Sequence, residues 1–184
     1  MGLSRTSRAA SGRSYPTQRK RRPARRQTYR TMADMPHQSS LRLGRVSIPG
    51  QAYHIINSSH GRRPLFSEPA SARAVILAMR QMHAAGWLHS HAWALMPDHL
   101  HWLFSLGERG DLASTMNRFK SGSAHAVRKF DRNLEKVWHK GYFDHGVRSD
   151  EDLRVIARYI VANPLRAGLC QNIGEYSWWD AEWV

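Results

Sequence analysis

The stretch His99 to Leu106 (His-Leu-His-Trp-Leu-Phe-Ser-Leu) constrains the fold of this chain more than any other. A β-strand sends successive side chains to opposite faces. Read as a strand, it puts His99 and His101 on one face and Leu100 and Trp102 on the other. The preceding segment, Trp87 to Met96, has strand length, and Pro97-Asp98 breaks the pattern between the two. An antiparallel pair joined by a short turn is the expected result. With Leu100 and Trp102 in the core, both imidazoles face a groove, where two neutral rings can grip one divalent cation. A structural role for the pair stays open at this point.

The rest of the body supplies partners for that hairpin. Ala52 to Ile56 reads as a first strand, followed by a polar loop from Asn57 to Arg63. Residues 69–85 repeat apolar side chains at helical spacing (Ala72, Val75, Ile76, Met79, Met82), and Gly86 ends that helix. Gly110-Asp111 caps a second helix running to about Phe130. Trp138 to Val147 forms a fourth strand or an ordered loop. Ser149-x-x-Asp152 resembles a capping box before a third helix that meets Pro164. The order β-α-β-β-α-β, then a helix, predicts an α+β, ferredoxin-like sandwich: an antiparallel sheet with helices on one face.

Charge divides the chain. Residues 1–45 hold twelve Arg/Lys and one acid, Asp34, whereas residues 46–184 hold sixteen basic and thirteen acidic residues. The first segment is rich in Arg, Ser and Pro and poor in large aliphatics, so it cannot bury enough apolar surface to order itself. Residues 1–45 are therefore expected to form a disordered basic arm and residues 46–184 the folded domain. Such an arm attracts any polyanion without reading its sequence. A targeting segment is the alternative. The single cysteine, Cys170, excludes an internal disulfide and a cysteine-based zinc site, and fits a reducing compartment. No apolar run approaches the roughly 20 residues of a membrane span, so a cytoplasmic place is expected.

On a helix beginning near Leu153, Ile156, Ala157 and Ile160 form the buried stripe. Tyr159 and Asn163 fall together on one flank, where a side chain is anchored yet reachable. A boundary tyrosine that only packs its ring is the alternative. His89-Ser90-His91 is a competing metal pair, placed by a hairpin at the far end from His99. His54, His139 and His145 are further candidates, structural or phosphate-contacting. An imidazole site completed by water and phosphate suits Mg²⁺ or Mn²⁺, whereas structural zinc would need two more ligands.

Two strings carry a resemblance: Leu95-Met96-Pro97-Asp98-His99-Leu100-His101-Trp102, and Tyr159-Ile160-Val161-Ala162-Asn163-Pro164-Leu165-Arg166-Ala167-Gly168-Leu169. They resemble the REP-associated tyrosine transposases, a group of the single-tyrosine, IS200-like HUH transposases, in which U is a bulky apolar residue. Tyr53-His54-Ile55, Arg118-Phe119-Lys120 and Trp138-His139-Lys140-Gly141-Tyr142-Phe143-Asp144-His145 agree. The resemblance implies a ferredoxin-like catalytic domain with His99 and His101 as metal ligands and Tyr159 as nucleophile. Asn163 stands where related enzymes often place a glutamine that completes the site, and is one methylene shorter. The implied substrate is single-stranded DNA beside a short hairpin from a repeated extragenic palindrome, cut and rejoined through a 5′-phosphotyrosine.

Arg118, Lys120, Arg148 and Arg166 are the candidate DNA contacts, and Lys120 or Arg158 could favour the phenolate. A nucleoid-associated monomer or homodimer is the implied working form. The rival classes are a non-catalytic DNA-binding module and an RNA-processing regulator on the same fold.

Overall fold

The structure, a computed structural model, describes residues 47–148 and 152–183. The basic segment 1–45 and Ser149 lie outside the described residues. Five strands form one antiparallel sheet: β1 (Ala52–Ser58), β2 (Leu88–Met96), β3 (His99–Leu106), β4 (Phe143–Gly146) and β5 (Trp179–Ala181). Their order is β4-β1-β3-β2-β5. β2 and β3 are joined through the two residues Pro97-Asp98, with Met96 opposite His99. β1 lies on the other side of β3, so the connection through α1 (Pro69–Ala84) crosses over one strand, as in a split β-α-β unit.

Local sequence explains the helix ends. At the end of α1, Gly86 takes φ +70°. Its N–H donates to His83, and the Trp87 N–H reaches back to the Met82 carbonyl, the paired bonds of a left-handed helix stop. In α2 (Leu112–Arg128) the Asp111 side chain caps the first turn by accepting from the Ser114 N–H at 2.7 Å. For α3 (Leu153–Val161) the cap is Asp152 itself, which accepts from the Arg154 N–H at 2.8 Å.

The sheet is covered on both sides. α1 and α2 pack together on the face that carries Tyr53, Ile55, Leu100, Trp102 and Phe104. That is the helical layer expected from the β-α-β-β-α-β order. α3 takes the opposite face, where Ile156, Ala157 and Ile160 pack on Ala92, Ala94 and Leu103. The strand expected within Trp138 to Val147 is confined to Phe143–Gly146. Lys120 Nζ donates to the carbonyls of His139 and Gly141 and holds the preceding segment as a loop. Trp138 instead enters the core against Phe66 and Phe119, donating to Ser123 Oγ. β5 was not anticipated, because three residues are too few to show an alternation.

Trp102 is fully buried, edge-on to Phe104 and Phe119, and its indole N–H donates to Ser90 Oγ at 2.9 Å. Trp102→Ala removes that packing and leaves Ser90 without its donor. It is expected to cost about 3–5 kcal/mol of unfolding free energy in urea titrations. A cost below about 1 kcal/mol would mean that this face is not the main core.

Candidate active site

The alternation of β3 turns His99, His101 and Leu103 away from the main core, towards the α3 side. β1 adds His54 to the same face, because Tyr53 and Ile55 on either side of it enter the core. β4 adds His145, which stands opposite His54 in the ladder. Imidazoles from three adjacent strands thus gather at one end of the sheet.

The ring nitrogens are arranged in sequence. Asp98 Oδ1 accepts from His99 Nδ1 at 2.5 Å. His99 Nε2 lies 3.1 Å from His101 Nε2. His101 Nδ1 lies 3.3 Å from His54 Nε2, with the two rings stacked at 5.6 Å. The carboxylate fixes the proton of His99 on Nδ1, so its Nε2 presents a lone pair to His101. Two states satisfy these contacts. A proton on His101 Nε2 closes the gap as a hydrogen bond, or His101 carries its proton on Nδ1, towards His54, and two lone pairs converge. The second state could hold a cation. Two ligands at about 2.1 Å from one ion and at right angles lie about 3 Å apart, which the observed separation matches. Each histidine also has the outer partner that orients a metal-binding imidazole: Asp98 for His99 and His54 for His101.

Burial keeps these rings neutral. Desolvation, followed by the nearby His145, lowers His54 to about 4. Burial also holds His101 well below the usual histidine value, reinforced by His54 and His99. His99 is lowered by burial, against the opposing pull of Asp98. Neutral imidazole is the form that binds a metal.

Tyr159 stands half-buried on α3 beside this cluster, its ring edge-on to His54 at 6.4 Å between centroids. α3 stops at Val161, and Ala162 (φ −78°, ψ 0°) precedes a short turn of helix, α4 (Asn163–Arg166), with Pro164 in its first turn. The break is one residue long, and the Arg166 N–H still reaches the Ala162 carbonyl. Asn163 Nδ2 donates to the carbonyls of Tyr159 and Ile160 at 3.2 and 2.9 Å. Arg166 donates to the Tyr159 carbonyl, and its Cζ lies 4.1 Å above the phenol ring. Tyr159, Asn163 and Arg166 therefore remain together although the helix does not continue.

The other sequence candidates are spread more widely. Lys120 is on α2, behind the opposite face of the sheet, tied to the loop carbonyls already described. Arg118, on the same helix, stacks over Trp87 at 4.9 Å. Arg148 is exposed just after β4. Arg158 is exposed on α3. His89 and His91 sit at the far end of the β2–β3 hairpin, where Leu88 faces Leu106. Two neighbours of the cluster lie beyond the candidates read from the sequence, Asp98 and Arg62, whose Nε pairs with Asp98 Oδ2 at 3.3 Å, and the further candidate His54 stands here as a partner of His101. The signal for His54 is its place between two core residues, but it needs the β1–β3 register to be read.

With this geometry in view, comparisons with known proteins are decisive for the family. The model of the family described as "Transposase IS200 like" matches residues 47–163. The chain belongs to the IS200-like transposase family. Within it, the chain is 26% identical over 87 residues to the REP-associated tyrosine transposase of Escherichia coli (strain K12), covering 47% of this chain and 50% of that protein. A Haemophilus influenzae protein assigned to the same group is 27% identical over 92 residues, covering 45% and 52%. The matched region thus spans about half the length of these curated relatives. Among solved structures, a REP-associated tyrosine transposase bound to a REP hairpin superposes with a TM-score of 0.61 at 21% identity, over 73% of this chain and 79% of that one. That likeness bears on the fold. Among the described residues, no helix is long and apolar enough to cross a membrane.

The partner role of His54 has a direct test. His54→Leu keeps a side chain of similar size but offers no acceptor to the His101 Nδ1–H. Mn²⁺ affinity, followed by electron paramagnetic resonance, is expected to fall roughly 10–100-fold with the circular dichroism spectrum unchanged. Unaltered affinity in a folded variant would show that His54 does not orient His101.

Proposed function

We propose that this protein cuts and rejoins single-stranded DNA beside a short hairpin, with Tyr159 as the nucleophile. One observation carries the reading: the half-buried tyrosine stands over the same sheet face that gathers His99, His101 and His54. Membership of a transposase family supports it, and the hairpin substrate is drawn from the neighbour whose structure holds a REP hairpin.

His99 and His101, through Nε2, would hold Mg²⁺ or Mn²⁺. When bound, such an ion neutralises charge on the scissile phosphate. Asn163 has its amide nitrogen committed to the end of α3, so its contribution as a third ligand would come through Oδ1. Asp98 and His54 keep the two imidazoles aimed. In the reaction the Tyr159 hydroxyl attacks phosphorus, the bond to the 3′ oxygen breaks, and a 5′-phosphotyrosine forms. The phenol proton leaves during attack, and the departing oxygen gains one to become a 3′ hydroxyl. Attack by another 3′ hydroxyl on the phosphotyrosine reverses these bond changes, so joining needs no nucleotide cofactor.

Arg166 and Arg62 flank the site with guanidinium groups suited to phosphate oxygens. Arg166 lies against the phenol ring, and Arg62 is half-exposed beside Asp98. Arg148, exposed just after β4, would act further along the strand, and segment 1–45 as a nonspecific polyanion-binding arm, whereas Arg118 and Lys120 on α2 lie behind the other face of the sheet.

Tyr159→Phe removes only the attacking oxygen. With a hairpin oligonucleotide and Mn²⁺, the unaltered protein is expected to give a covalent protein–DNA band that survives SDS. The variant should give none while still shifting the oligonucleotide in native gels. A covalent band from Tyr159→Phe would place the nucleophile elsewhere, and no band from either protein would favour a non-catalytic DNA-binding module.

A further inference from the structure

The far end of the same hairpin carries a second convergence of ligand-type side chains that the proposed strand transfer does not use. The β2–β3 register shifts between Ser90 and Ala92, so His91 is the extra residue of a bulge. The bulge brings His89 and His91 to one carboxylate. His89 Nε2 lies 2.5 Å from Glu182 Oε1, and His91 Nδ1 lies 2.8 Å from Glu182 Oε2. Glu182 is itself held in place, because its backbone N–H donates to the His91 carbonyl and prolongs the β2–β5 ladder by one residue. The three donor atoms lie within 4.8 Å of one another.

The surroundings are those of a built site. His91 Nε2 is 2.8 Å from Ser105 Oγ, an outer partner that leaves Nδ1 as the nitrogen turned to Glu182. Trp183 stacks on the His91 ring at 5.1 Å and walls it in. His83, at the end of α1, accepts from the Ser90 N–H at 3.1 Å and brings a third imidazole within 4.9 Å of the His89 ring. Side-chain exposure rises from 10% at His91 through 35% at Glu182 to 54% at His89. One ligand is thus anchored and the opposite side is open. His91 and Glu182 also line a cavity of about 430 Å³ bordered by Arg80, His83 and Asp180.

We propose that His89, His91 and Glu182 form a second divalent-cation site, of zinc type, that fastens the C-terminal strand to the sheet edge. Two imidazoles and one carboxylate, with a position left for water, are a donor set that zinc accepts. The site is distinct from the first. His99 and Ser105 are six residues apart on β3, a span of about 20 Å. Two of the three ligands come from β2 and the third from the residue after β5, so the ion adds a side-chain link between segments joined by a ladder of three residue pairs and the backbone bonds that flank it. The inference is independent of the nuclease reading.

The test uses the full chain carrying His99→Ala and His101→Ala, so that zinc binding by the first site is removed. After stripping with chelator, Zn²⁺ is titrated against a chromophoric competitor and the melting temperature is followed. One equivalent is expected to bind, with a rise in melting temperature. Both effects should vanish on adding Glu182→Gln, which keeps the shape of the carboxylate. Co²⁺ in place of Zn²⁺ should show visible bands of a low-coordinate site, lost in the same variant. His89→Ala is the second variant: its imidazole is the most exposed of the three, so its loss should remove zinc without unfolding the chain. Failure of the doubly substituted protein to bind one equivalent, or zinc binding that persists in Glu182→Gln and His89→Ala, would overturn the proposal and leave a hydrogen-bonded clasp.

Discussion

The alternation along β3 is the constraint on which the structure depends. One strand must satisfy two environments. Leu100, Trp102 and Phe104 build the floor of the main core beneath α1 and α2. His99 and His101 then have no choice but the other face. Burial there has a chemical consequence, since an imidazole removed from water resists protonation. Hydrophobic packing on one side of a strand therefore delivers neutral imidazoles on the other. A shift of the strand by one residue would exchange the two sets and destroy both the core and the site.

α3 completes the arrangement because it covers the histidine face without sealing it. Its apolar stripe, Ile156, Ala157 and Ile160, packs on small residues, Ala92 and Ala94, and on Leu103. Small side chains on β2 let the helix approach closely, and Tyr159 comes to rest at the margin of that contact. Across the one-residue break at Ala162, Asn163 and Arg166 still bind the carbonyls at the end of α3 and hold the tyrosine's backbone.

Much of this was legible in the sequence, and the reasons are specific. β3 is found to the residue, because its two periodicities, apolar and imidazole, coincide. α1 and α2 carry strong helical patterns with a glycine stop and an aspartate cap. Long-range pairing was harder to read. Nothing local in Ala52 to Ser58 says that His54 will stack on His101, since that depends on β1 lying beside β3 at a particular register. β5 is too short to show an alternation, and the approach of Glu182 to His89 and His91 again depends on strand pairing. Asp98 looked like turn punctuation, although the turn also aims its carboxylate at His99. Arg118 and Lys120 share a basic string with the core residue Phe119, but one stacks on Trp87 and the other braces a loop. Charge in a sequence does not reveal which face of the sheet it will serve.

The central claim is that the Nε2 atoms of His99 and His101 converge on one cation within reach of the Tyr159 hydroxyl. Anomalous diffraction from crystals grown with Mn²⁺ and a hairpin oligonucleotide tests it most directly. The account predicts an anomalous peak bonded to both Nε2 atoms, with a phosphate oxygen in its coordination shell and the phenol oxygen aligned on phosphorus. A peak bonded to neither histidine in crystals whose DNA occupies that face, or a phenol turned away from the phosphate, would contradict it.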